Sequence, residues 1–308
     1  MKAATHLEVY RPFRGRLAAG RVRFLTLYAA GFKTAVKKKL PLVLFFAPIA
    51  IATVIFSFTV YAGFAIDEGS TPSALGGETS LAGLLGKTLL AQRAQQILRA
   101  RDMIVNFHLS TNVFALLVMA WFGAGLLAED RRAGAHLLYF ARPLSRLDYV
   151  AGKFLTVATF GVLAAVAPGL VICTVATFAS PEWSFLREEG LVIVHTLSFG
   201  LLTTVLVSSI VLCVSSLASR RIFALLGVFG LFMLSSATAG ILATLQHDGS
   251  FRALSPMFSL ARIAAWIFEL RVPRGHWSVG LAWISVLTAI LLSLSIVAWR
   301  TRRLDVVA

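Results

Sequence analysis

The chain has 308 residues, 58% of them hydrophobic and only 14% charged, with a mean hydropathy of +0.81. Soluble globular domains are nearer half apolar and a quarter charged, so this composition excludes that class and identifies a membrane protein. The formal net charge of +15 invites nucleic acid as a partner, but the basic residues edge apolar runs and form no polar domain, so no nucleic-acid partner is read.

Residues 1–39 come first and are strongly basic. On a helical wheel Phe13, Leu17, Phe24, Tyr28, Phe32 and Ala35 share one side, and Arg16, Arg21, Arg23, Lys33 and Lys37 the other. That separation predicts an amphipathic helix lying in the membrane interface, in preference to a tail that merely sets topology. The first apolar run begins only at Leu40 and ends in no small-residue cleavage pattern, so no cleavable signal is expected.

Six apolar runs follow, at about 40–64, 109–128, 154–179, 191–217, 223–245 and 279–299. Each is near or above the ~20 residues that a helix needs to cross the hydrocarbon core. Runs this apolar must be helical, because lipid offers no partner to an unpaired backbone group. The predicted fold class is therefore an all-α membrane protein with six transmembrane helices. Its expected domains are a cytoplasmic N-terminal region (1–39), a transmembrane domain (40–299) and a cytoplasmic tail (300–308).

Between the first and second runs lies a long loop, 65–108, turn-rich at first and then rich in helix formers from about Leu81. The loop 180–190 is short and mildly acidic. The loop 246–278 contains "MFSLARIAAWIFEL", 14 residues, too short to span, which predicts a re-entrant or interfacial helix. Segments 1–39, 129–153, 218–222 and 300–308 together hold 20 of the 29 Lys and Arg residues. The positive-inside bias therefore puts both termini, and the stretch 129–153, in the cytosol, facing an anionic leaflet of membrane lipid.

Most chemical motifs are missing from the sequence. No G-x-x-x-x-G-K-[ST] pattern surrounds Gly86-Lys87 or Gly152-Lys153, so the chain has no phosphate-binding loop for ATP. His6, His108, His136, His195, His247 and His276 show neither an H-E-x-x-H pattern nor i,i+4 pairing, so no metal site is expected. His195 falls inside the fourth run and is the candidate intramembrane polar site, with interhelical hydrogen bonding the reading preferred over substrate or proton handling. The runs hold no chain of Asp, Glu, Lys or Arg that could relay protons, which argues against an ion-coupled transporter. The pairs Glu129-Asp130 and Glu188-Glu189 have no partnered base, so no catalytic residues are expected. Cys173 and Cys213 lie in apolar runs and read as small packing residues.

The stretch between the second and third runs, "LLAEDRRAGAHLLYFARPLSRLDYVAGK", carries the specific signal. It resembles the cytoplasmic loop of type-2 ABC exporter permeases. That family has a Glu at the end of the second span, a Gly soon after and a Leu-Leu pair. A Pro-x-Ser-Arg element and a Gly-Lys at the start of the third span follow. Here these are Glu129, Gly134, Leu137-Leu138, Pro143-x-Ser145-Arg146 and Gly152-Lys153. "LSPMFSL" (254–260) resembles the family's segment before a short re-entry. The long loop 65–108 is similar to that of the subgroup associated with copper-enzyme maturation, gliding or secretion.

The resemblance implies a permease subunit that forms a translocation path and works as a dimer with a second permease copy or paralogue. It also implies a separate ABC ATPase subunit, which binds ATP and Mg, so that no cofactor belongs to this chain and the chain is not itself an enzyme. The implied location is a bacterial cytoplasmic (inner) membrane. The family's loop forms a coupling helix that docks on the ATPase. Leu137, Leu138, Tyr139 and Phe140 would supply its apolar face, and Glu129, Asp130, Arg131, Arg132, Arg142 and Arg146 its flanking charges. Pro143 would end that helix. The competing reading of the stretch is an interfacial hairpin resting on lipid headgroups. The competing function is a membrane anchor that transmits ATPase-driven motion to a periplasmic partner without moving a substrate.

Overall fold

The computed structural model describes residues 23–37, 39–67, 100–134, 145–270 and 277–302. Among the described residues every regular element is helical, and six helical stretches are long and apolar enough to cross a bilayer. Helix α1 (Arg23–Val36) precedes the first span, α2 (Lys39–Asp67). The second span joins α3 (Ala100–Gly123) to α4 (Gly125–Arg132). The third consists of α5 (Arg146–Gly161), a π-helical turn (Val162–Val166) and α6 (Ala167–Ala179). A 3-10 turn (Pro181–Trp183) and the short α7 (Ser184–Glu189) lead to α8 (Leu191–Leu217) and α9 (Arg221–Leu245), the fourth and fifth spans. A second 3-10 turn (Gly249–Leu254) and the 12-residue α10 (Pro256–Ile267) precede the sixth span, α11 (Val279–Arg302).

Each expected span is present, and the departures lie at helix ends. The second span starts at Ala100, not near residue 109, because Met103, Ile104, Val105 and Phe107 are buried against neighbouring helices. Their interleaving with Arg101, Asp102, Asn106 and His108 hides them from a hydropathy window. The third starts at Arg146, not near residue 154, because Ser145 caps it. Its π-helical turn ends two residues before Pro168. Proline has no N–H to give the carbonyl of Ala164, and a wider turn absorbs the break in the ladder.

The fourth span occupies the centre of the bundle, packed against the second, third, fifth and sixth. The first packs on the second and on α6, while α10 lies mainly on the sixth. The two inner spans bury most of their surface. The first, fifth and sixth present apolar faces outward, among them Val54 and Phe58, Leu226 and Leu234, and Leu291 and Leu292. In water such faces would drive association; in lipid they match the solvent.

Close helix approach depends on small residues. A Cβ on Gly123 would lie 2.5 Å from Val211 Cγ1 and 2.9 Å from Val157 Cγ2, so the second, third and fourth spans meet where only glycine fits. The residue before it, Phe122, stacks on Phe160 at 4.2 Å between centroids. Gly123→Val is therefore expected to destabilise the bundle by about 1–3 kcal/mol through overpacking. A lowered midpoint of thermal unfolding in detergent checks it, and an unchanged midpoint refutes the contact.

The apolar side of the predicted amphipathic helix is used against protein. Phe32 packs on Phe160 at 5.5 Å and on Tyr28 at 6.0 Å, and Thr159 donates a hydrogen bond to the Tyr28 hydroxyl at 3.2 Å. Lys33 and Lys37 are exposed on the other side. Phe13, Leu17, Arg16 and Arg21 lie outside the described residues.

Candidate functional site

The two described ends of the stretch 129–153 meet at one end of the bundle. Helix α4 continues the second span past a break at Ala124. There the Ser215 hydroxyl of the fourth span donates to the Ala124 carbonyl at 2.7 Å and accepts from the amides of Leu127 (3.1 Å) and Ala128 (3.3 Å). A side chain inserted into the backbone ladder is a recognised cause of a helix bend. Beside it, Arg221 donates to the Trp121 carbonyl at 2.8 Å and lies 4.5 Å over the indole ring, fastening the start of the fifth span to the same break.

Glu129 and Arg132 are exposed on α4, and the Arg131 guanidinium donates to the carbonyl of Ala218, the residue that caps the fourth span. Helix α4 stops because Gly134 adopts a left-handed conformation, φ 65°, with its amide returning to the Arg131 carbonyl at 3.2 Å. Nothing stands within 4 Å of where its Cβ would be, so glycine is there for its backbone and not for space.

On the other side, Ser145 opens α5 with a reciprocal cap. Its hydroxyl accepts from the Asp148 amide at 3.0 Å, and the Asp148 carboxylate accepts from the Ser145 amide at 3.3 Å. The Ser-Arg of the sequence motif thus has two jobs: Ser145 starts the helix, and Arg146 donates to the Arg302 carbonyl at the end of the sixth span, at 2.9 Å.

One buried cluster ties the two sides together. Lys153 Nζ lies 2.7 Å from Asp130 Oδ2, with the two side chains 9% and 16% exposed. The Tyr149 hydroxyl donates to the same carboxylate oxygen at 2.8 Å, and Tyr149 is itself fully buried. The ammonium also sits 5.7 Å from the Tyr149 ring centroid. A carboxylate this enclosed is stable only when its partners are in place. Gly152 meets α1: a Cβ there would lie 2.9 Å from the Phe24 carbonyl and 3.1 Å from Leu27 Cβ, so α1 lies directly on it.

Of the residues singled out in the sequence, Glu129, Asp130, Arg131, Arg132, Gly134, Ser145, Arg146, Gly152 and Lys153 are thus brought to this end of the bundle. Leu137, Leu138, Tyr139, Phe140, Arg142 and Pro143 lie outside the described residues. Asp148, Tyr149, Ser215 and Arg221 complete the arrangement without having been singled out. The spacing Ser145-x-x-Asp148 was a readable capping signal; nothing in the sequence pairs Ser215 with Ala124.

His195 is placed toward the opposite end of the fourth span, half-buried and edge-on to Phe268 at 5.8 Å. Its Nδ1 has no hydrogen-bond partner among the described residues, so aromatic packing replaces the expected interhelical hydrogen bond at that atom. His108 lies in the same region and is 3% exposed. Among the described residues no group of three or more His, Cys, Asp and Glu side chains could hold a metal ion.

Residues 101–297 match the family model described as ABC-2 family transporter protein. No curated protein matches the chain.

Proposed function

Since the chain belongs to the ABC-2 family of transporter proteins and is a membrane permease of an ABC transporter, we propose that it takes its energy from a separate ATPase subunit docked on residues 129–153. The observation that carries this reading is the way both ends of that segment are fastened. One end reaches the fourth span through Arg131 and Ala218; the other reaches the sixth through Arg146 and Arg302; the Asp130–Lys153 pair joins the two ends. A push on the segment is delivered to several spans at once. A hairpin that only rested on lipid would gain nothing from such ties.

The ATPase binds ATP and Mg, and two permease copies, or this chain and a paralogue, flank the path. Both termini and the stretch 129–153 face the cytosol of a bacterial inner membrane, as the distribution of Lys and Arg favours. Leu137, Leu138, Tyr139 and Phe140 form the buried side of the contact, and Arg142 and Pro143 set its charge and its end.

Co-purification tests this reading. Affinity-tagged chain from its native host is expected to bring down a soluble protein with a phosphate-binding loop, and Leu137→Asp to remove it. A tagged chain that retains no ATPase in mild detergent, with Leu137→Asp changing nothing, leaves only the interfacial hairpin.

A further inference from the structure

The end of the bundle opposite the Asp130–Lys153 cluster holds a second, unrelated arrangement. Helix α10 ends in a reciprocal turn: the Glu269 amide bonds the Trp266 carbonyl at 3.1 Å, and the Leu270 amide bonds the Ala265 carbonyl at 2.8 Å. That pairing satisfies two carbonyls of the last helical turn and requires a left-handed residue just past the helix. Glycine is the usual occupant. Here it is Glu269, at φ 51°. A non-glycine residue in that conformation is strained, and it persists where surrounding contacts over-determine it.

The contacts are supplied by Arg101, at the start of the second span and 167 residues away in sequence. Its guanidinium donates to the Phe268 carbonyl and to Glu269 Oε2, the latter at 3.1 Å. The Glu269 side chain is 70% exposed, so the ion pair by itself contributes little. The bond to the backbone carbonyl is the stronger tie, because a charged donor meets a partly buried acceptor.

The Phe268 ring is completely buried. It lies 6.0 Å from His108 on the second span and 5.8 Å and 6.1 Å from His195 and Phe199 on the fourth. Behind it the fit is tight: a Cβ on Gly169 of the third span would stand 2.7 Å from His108 Nε2. His108 Nε2 and His195 Nδ1 have no hydrogen-bond partners among the described residues. Unpaired buried nitrogens make the aromatic nest a poor permanent core, since each would gain a partner on exposure to water. At this end helix α10 is held by the inserted Phe268 ring, by the Arg101 clasp and by Trp266, whose ring lies 6.2 Å from that of Trp283 on the sixth span.

We propose that Phe268, clasped through its carbonyl by Arg101, is the bolt of an outer gate: seated between the second and fourth spans it holds α10 closed, and it withdraws when the outward path opens. The gating half of this proposal rests on the ATPase-coupled reading above; the bolt and clasp do not.

The test is cysteine accessibility in the full-length complex with its co-purified ATPase, reconstituted in vesicles. Cys173 and Cys213, both buried, are replaced by alanine, Phe199→Cys is introduced on the buried wall of the socket that the Phe268 ring fills, and labelling by N-ethylmaleimide is timed. Without nucleotide, labelling is slow. Adding Arg101→Ala raises the rate roughly tenfold or more, as expected for loss of one hydrogen bond from a charged donor. Trapping the complex with Mg-ATP and vanadate raises it in the chain that keeps Arg101. A rate indifferent to Arg101→Ala overturns the clasp. A rate that responds to Arg101→Ala but not to trapping, in a complex that hydrolyses ATP, overturns the gate. Failure of an ATPase to co-purify is seen before any labelling and sinks the coupling reading instead. Hydrogen exchange of the amides at 268–270 in the unsubstituted chain, faster when trapped, guards against misfolding of the Phe199→Cys variant; unchanged exchange also overturns the gate.

Discussion

Lys153→Met is expected to lower the stability of the bundle by about 3 kcal/mol, the lower end of the penalty for removing one partner of a buried ion pair. The loss comes less from the missing attraction than from what remains. Asp130 would keep only the Tyr149 hydroxyl at 2.8 Å, in a place where its side chain is 16% exposed. An ionised carboxylate with one neutral donor and little water is poorly compensated. The double variant Asp130→Asn with Lys153→Met removes both charges and is expected to recover part of the loss, because replacing a buried pair by neutral groups is often close to neutral. Thermal midpoints of the two single variants, the double variant and the parent in one detergent give the coupling between the residues. Additive losses would mean that the pair does not hold the second and third spans together at this end.

The spans were legible in the sequence because lipid leaves an apolar run no alternative to a helix. The fourth span matches its expected bounds, 191–217, since it is apolar along its whole length. The second does not, because Arg101, Asp102, Asn106 and His108 alternate with buried residues over its first turns. Of these His108 faces a packed protein interior while Asn106 is exposed, a distinction that composition cannot make. For the same reason His108 was read into a loop, while the less buried His195 stood out. The loop motif was legible as an ordered set of residues, but its meaning was not. That Gly134 stops a helix, Ser145 starts one and Lys153 reaches back 23 positions to Asp130 depends on where two chain segments return in space. Leu137, Leu138, Tyr139, Phe140, Arg142 and Pro143 are known here from the sequence alone.

Under the coupling reading, what matters is how force on 129–153 divides among the spans. The fastenings are unequal. Arg131 and Ser215 join the second span to the fourth, Arg221 joins the fifth to the break at Ala124, and Arg146 joins the third to the sixth. The first span has no such tie of its own among the described contacts at this end; it follows α1, which precedes it by a short turn and lies on α5. Helix α1 is thus a link, beside the packing of the first span on the second and on α6, through which the loop can move the first span.

That link hangs on Gly152, and Gly152→Leu is expected to break it. A Cβ there would already lie 2.9 Å from the Phe24 carbonyl and 3.1 Å from Leu27 Cβ, and backbone cannot yield as a flexible side-chain tip can. Leucine adds three more carbons in the same direction, so α1 must lift from α5. The lift gives up the Phe32–Phe160 contact and the Thr159–Tyr28 hydrogen bond, and overpacking of this kind costs about 1–3 kcal/mol or more. The neighbouring Asp130–Lys153 pair takes its partners from the second and third spans and not from α1, so it should survive and the loss be confined to α1. Limited trypsin digestion should therefore cut faster at Lys33 and Lys37 in the variant, with the thermal midpoint of the six-span bundle falling less than in Lys153→Met. In the reconstituted complex the coupling reading further requires that ATPase binding persist while transport-linked stimulation is lost. Unchanged cleavage at Lys33 and Lys37 would show that α1 tolerates the leucine, and would refute the close approach of α1 to Gly152 on which this link rests.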